Sequence, residues 1–89
     1  MTKIGEEYLE ELSIIKASKH KQNIMKVLAD ENVKIPSEIG HVLDLKTNHI
    51  SANLKDLKRM NIVKCLNEEK KKGRLYCITN KGMDLVEFL

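Results

Sequence analysis

The sequence predicts a mainly α-helical domain that carries one β-hairpin. Three patterns lead there. Ile50, Leu54 and Leu57 recur at i, i+4 and i+7, which places them on one face of a helix. Two apolar runs, 62–67 and 75–79, flank a charged loop containing Gly73, the pattern of two strands joined by a hairpin turn. Ser18, Thr47 and Thr79 stand at the head of helical runs, where a side-chain oxygen can accept a hydrogen bond from an orphan first-turn amide.

Taken in order, Ile4 to Ile15 reads as a first helix, with a stripe of Ile4, Tyr8, Leu12 and Ile15 widened by Leu9 and glutamates on the other side. Its expected use is burial against the C-terminal helix of the same chain, of a second copy, or of both. Ser18 caps the next helix, whose inner face is Ile24, Val27 and Leu28 and which ends near Asp30 to Asn32. Val33 to Ile35 is a short apolar piece with the character of a small strand. Pro36 suits a first helical position and Glu38 puts an acid in that first turn. Ile39, Val42 and Leu43 follow as the apolar face, and Gly40, lacking a side chain, permits another helix to come close. After a brief break at Asp44 to Lys46, a helix over about 47–60 carries short polar and basic residues on its outer side, with Thr47 as its expected cap. Asn61 ends it. The hairpin has a basic tip, Lys70, Lys71, Lys72, Gly73 and Arg74, and Thr79 opens a last helix with Met83, Leu85, Val86, Phe88 and Leu89.

Two short helices joined by three residues, the second with a polar outer face, form a helix-turn-helix. The full order of three helices, two strands and a helix is that of a winged helix-turn-helix with additional N-terminal and C-terminal helices. The division expected is a single domain over 1–89, with an N-terminal dimerisation helix at 1–16, a winged-helix core at 18–79 and a C-terminal helix at 80–89.

Composition narrows the function. An 89-residue chain is one domain and buries roughly 60–65% of its unfolded surface. A hydrophobic share of 42% beside 33% charged residues fits a globular protein rather than a disordered one. No apolar run approaches the roughly 18–20 residues of a membrane span and no signal-like segment opens the chain, so a cytoplasmic protein without a membrane partner is expected. Two cysteines do not make a disulfide framework. The net charge of +3 hides an asymmetry: residues 1–15 sum to −3 and residues 16–89 to +6. The body is thus compatible with a polyanion partner. Lysine dominates the bases, Arg59 and Arg74 being the two arginines, so bidentate arginine-to-guanine readout is not expected to dominate. Catalysis finds no support: there is no phosphate-cradling glycine loop, no nucleophile beside a base and no H-E-x-x-H.

The stretch PSEIGHVLDLKTNHISANLKDLKRMNIVKCL, followed by GRLYCITNKGMDLVEFL, resembles the winged helix-turn-helix transcription regulators of the ArsR and MarR type, small archaeal regulators in particular. The resemblance covers roughly 18–89. Tyr76, Ile78, Thr79, Lys81 and Gly82 fit the pattern by which the hairpin of such proteins closes into the final helix. Asp44 stands where their turns usually have glycine, Ile35 where a capping Thr or Ser is common, and Asn61 where a glycine follows the recognition helix.

The resemblance implies sequence-specific binding of double-stranded DNA by a homodimeric regulator. Thr47, Asn48, His49, Ser51 and Ala52 would approach bases and Lys55 and Arg59 phosphates. Asn48 suits adenine and Ala52 a thymine methyl. The wing, residues 68–74, would lie on the backbone or in the minor groove through Lys71, Lys72 and Arg74, with Glu68 and Glu69 repelling phosphate. Dimerisation would use Ile4, Tyr8, Leu12 and Ile15 together with Val86 and Leu89. No cofactor or metal is expected, because His20, His41 and His49 are dispersed over three helices and no C-x-x-C occurs. Cys65 and Cys77, on the two hairpin strands and able to face each other, read as small buried hydrophobes, with a redox-responsive repressor as a further reading. The alternative from another class is a winged-helix protein-interaction module in a transcription or nucleic-acid-processing assembly.

Overall fold

A computed structural model describes residues 6–89, with side chains from Tyr8 onward. Ile4 lies outside the described residues. Five helices and a two-stranded hairpin follow one another: α1 (Glu6–Lys16), α2 (Lys19–Leu28), α3 (Pro36–Leu43), α4 (Thr47–Arg59), β1 (Val63–Cys65), β2 (Tyr76–Ile78) and α5 (Asn80–Val86).

The apolar periodicity becomes one core. Ile15 of α1, Ile24 and Leu28 of α2, Ile39 of α3, Ile50, Leu54 and Leu57 of α4, and Leu85 of α5 are all fully buried in it. Each such aliphatic side chain contributes about 1.5–3 kcal/mol on leaving water. No polar or charged residue is fully buried among those described. The burial of Ile15 corrects its expected role in dimerisation. It faces inward, and α1 instead turns Leu9 and Ile14 to solvent, 53% and 45% exposed.

The caps follow the sequence at two of three expected places. Ser18 Oγ accepts from Lys21 N at 3.3 Å, and Thr79 Oγ1 accepts from Gly82 N at 3.0 Å. Thr47 does not cap α4: the N-cap is Lys46, and Thr47 is already the first helical residue. Pro36 opens α3 as expected, and the Glu38 carboxylate accepts from Ile35 N–H at 3.0 Å. That bond satisfies the amide of Ile35 itself, while the Glu38 N–H, which a capping side chain would have received, donates to the Ile35 carbonyl at 3.1 Å.

The turn between α3 and α4 fixes their geometry. Asp44 takes the left-handed conformation, φ 56° and ψ 47°, so the aspartate reproduces the backbone a glycine would give. Leu45 N donates to Gly40 O at 2.9 Å. A Cβ on Gly40 would stand 2.6 Å from the Leu45 carbonyl oxygen, so the close approach that Gly40 permits is that of the turn itself, with Ile50 of α4 just beyond at 3.5 Å. Asn61 is likewise left-handed, φ 61°, where α4 gives way to β1.

β1 and β2 pair antiparallel, Val63 with Ile78, Lys64 with Cys77 and Cys65 with Tyr76. The short apolar piece after α2 adds one bridge, Lys34 with Tyr76, closed by bonds of 2.9 and 2.8 Å. Directly opposed residues share a face and neighbours alternate. Cys65 therefore lies on the face of Tyr76, and Cys77 on the other face with Lys64. The two thiols do not face each other as their strand positions suggested, and both are free.

Candidate nucleic-acid interface

α4 rests on the core through Ile50, Leu54 and Leu57, so its opposite side is left to solvent. Thr47, Asn48, His49, Ser51, Ala52, Lys55 and Arg59 are all exposed there. Two side-chain ties hold the helix to α2. Lys21 Nζ donates to Asn53 Oδ1 at 3.1 Å and pairs with Asp56 at 3.2 Å.

The hairpin loop is built by side chains that bond to its own backbone. Asn67 Oδ1 accepts from Leu75 N at 2.7 Å, and its amide donates to Gly73 O at 3.2 Å. Gly73 occupies the left-handed region, φ 67°, where the loop reverses. Arg74 Nε donates to Lys70 O at 2.6 Å and Nη2 to Glu68 O at 3.3 Å. Arg74 is thus largely engaged in shaping the loop, whereas the side chains of Lys71 and Lys72 stand exposed. At the base of the loop, Glu68 forms an ion pair with Lys58 of α4. A hydrogen bond from Lys58 holds the Glu68 carboxyl below the usual carboxylate range, and Glu68 in turn raises Lys58.

Between α4, the start of α3 and the loop runs an open groove of about 610 Å³. It brings together Thr47, Ser51, Ala52 and Lys55 from α4 with Lys71, Lys72 and Arg74 from the loop. Asn48 and His49 do not line it. They sit on the exposed first turn of α4, and the His49 ring meets His20 of α2 edge-on at 6.5 Å between centroids. His49 is exposed. Arg59 also stands apart, in a small hollow with Ile14, Lys21, Asp56 and Met60, 3.9 Å from Asp56. Sequence reasoning missed Lys58 and Ser37, which both line the groove. Lys58 was within reach, since it follows Lys55 by three residues and so shares its helical face. Ser37 depends on how α3 is set against α4 and left no signal.

No family model matches the chain, and no curated protein matches it. Solved structures do. The transcriptional regulator Tm0710 of Thermotoga maritima aligns over 92% of this chain and 57% of its own, with a TM-score of 0.70 and 18% identity. A mutant of MarR from E. coli, complexed with operator DNA, aligns over 92% and 59%, with a TM-score of 0.71 and 22% identity. The MepR–DNA complex of S. aureus aligns over 92% and 68%, with a TM-score of 0.71 and 16% identity.

The fold is a winged helix-turn-helix.

It is the fold of these MarR-family regulators, with α3 and α4 as the helix-turn-helix and the β1–β2 hairpin as the wing. The chain spans from about half to about two-thirds of the length of such structures, 49% for ZitR of Lactococcus lactis and 68% for MepR. Among the described residues, no helix of this winged-helix chain is long and apolar enough to cross a membrane, and no three metal-ligating side chains cluster.

Proposed function

We propose that this protein is a transcription regulator that binds double-stranded DNA in a sequence-specific way, with α4 in the major groove and the wing beside it on the backbone or in the minor groove. One observation carries the reading. Among the described residues, five cationic ones, Lys55, Lys58, Lys71, Lys72 and Arg74, line the groove between α4 and the wing, and no carboxylate does. Their field favours a polyanion. The helix they flank has 13 residues, about 20 Å at 1.5 Å per residue, and the major groove is about 12 Å wide, room enough for a helix. Thr47, Ser51 and Ala52 are short enough to let its backbone approach base edges, and exposed Asn48 in the first turn has the donor and acceptor pair that adenine requires. The solved neighbours captured on DNA share this fold and support the reading.

The regulator acts as a homodimer, with two α4 helices entering successive major grooves about 34 Å apart. The outward Leu9 and Ile14 of α1 supply apolar surface for that association, next to the half-buried Tyr8 and Leu12 of α1 and the half-buried Val86 and Leu89 at the C-terminal end.

Fluorescence anisotropy with labelled duplex DNA across a salt series tests the interface. For the native chain, log K falls linearly with log salt. In a Lys55→Ala, Lys71→Ala double variant the slope is shallower by about 1.8, because each phosphate contact contributes about 0.9. Native protein that binds no duplex at low salt, or a double variant with the native slope, overturns the reading.

A further inference from the structure

The cations of the groove are not equivalent. Among the described residues Lys55, Lys71 and Lys72 make no ion pair, and Arg74 is engaged by the loop carbonyls. Lys58 alone of the five is neutralised, by Glu68. Glu68 also meets the return arm of the wing, since its backbone carbonyl receives Arg74 Nη2. One residue thus joins the recognition helix to both arms of the hairpin. The side chains of Lys58 and Glu68 are 41% and 56% exposed, so water screens their attraction and the pair adds little to folding. Where it sits gives it a different consequence. A DNA phosphate at the wing and the Glu68 carboxylate are alternative acceptors for the same ammonium.

Resting on the DNA-binding reading above, we propose that Glu68 is a positioning residue, which holds the wing against α4 through Lys58 and keeps Lys58 off the phosphates, so that Lys55, Lys71 and Lys72 are the groove's phosphate contacts. Glu68 then weakens DNA binding by occupying the Lys58 ammonium, in addition to any direct repulsion of phosphate. It sets the number of cations offered to DNA as well as the place where two of them stand.

The test compares native protein, Glu68→Gln and the double variant Lys58→Met, Glu68→Gln in the same anisotropy salt series. Glutamine can still accept from Lys58 but no longer neutralises it. Glu68→Gln therefore binds several-fold tighter at low salt, with a slope steeper by about 0.9, the increment of one further phosphate contact. The double variant returns to the native slope. A Glu68→Gln slope equal to the native one, or a double variant shallower than native, overturns the proposal, because Lys58 would then be silent in both or already on DNA. The free protein gives an independent readout. By NMR, the Glu68 carboxyl titrates below its ordinary range in the native chain and moves up in Lys58→Met; an ordinary titration in the native chain overturns the pair without reference to DNA. Native protein that binds no duplex overturns the DNA-binding reading, and this proposal with it.

Discussion

The two ends of this small domain use lysine in opposite ways. On the α1–α5 side, Lys81 is enclosed. Its ammonium pairs with Glu11 of α1 at 2.5 Å, donates to the Met60 carbonyl at 2.7 Å and stands 5.1 Å from the centre of the Tyr8 ring. One side chain of α5 thereby ties down α1 and the end of α4. On the α4–wing side, the heads of Lys55, Lys71 and Lys72 are left in water without an ionic partner among the described residues. A cation with three protein partners has given up hydration and serves the fold. A cation left hydrated adds almost nothing to stability but contributes its full charge to the field outside the protein. The same residue type is thus structural at one end and available for recognition at the other, and what separates the two is which groups the fold places around each ammonium.

The largest effect expected comes from removing what both ends share. Leu54→Ala empties the core directly behind the solvent-facing side of α4 and should cost about 2–5 kcal/mol by denaturant unfolding, with the proposed DNA binding lost alongside stability. A loss under about 1 kcal/mol would mean that α4 does not lean on this core. Lys81→Met separates the two ends. It should lower stability by roughly 1–2 kcal/mol, since a half-buried charge partner at Glu11 is left unpaired, while the salt slope of DNA binding stays at its native value. A changed slope would place Lys81 in the interface and erase the contrast. The smallest effect sharpens it within the hairpin. Lys64 is exposed on β1, on the hairpin face opposite to that of Tyr76, which lines the groove. Lys64→Ala should leave the salt slope unchanged, whereas Lys72→Ala lowers it by about 0.9, both with stability altered by less than about 0.5 kcal/mol. Equal effects of the two would show that only total charge matters.

Much of this was legible in the residues. The i, i+4, i+7 spacing of Ile50, Leu54 and Leu57 located α4 to within a residue, and Pro36, Ser18 and Thr79 marked helix starts through chemistry that acts over three residues or fewer. Asp44 and Asn61 were legible as positions where a glycine-like backbone is wanted, and both adopt it. The errors share a cause. Thr47 could have been a cap or a first helical residue, and a shift of one position decides it. Cys65 and Cys77 lie at plausible facing places in two strands, but facing depends on the pairing register, and a step of one residue sends a side chain to the opposite sheet face. Ile15 belongs to an apolar stripe that reads the same whether its cover is this chain or a second copy.

The sequence by itself determined the order and kind of the elements, the outward polar face of α4 and the concentration of positive charge in the body, because these follow from periodicity, caps and composition, all of which act locally. Only the tertiary structure decided which cations are available. Arg74 turned inward onto loop carbonyls, Lys58 was matched by Glu68 ten residues away, Arg59 was set in a hollow apart from the groove, and Lys55 was brought to the same groove as Lys71 and Lys72. The reason is physical. A charge acts according to the groups within a few ångströms of it, and for residues separated by a turn and a hairpin those distances exist only once the chain has folded.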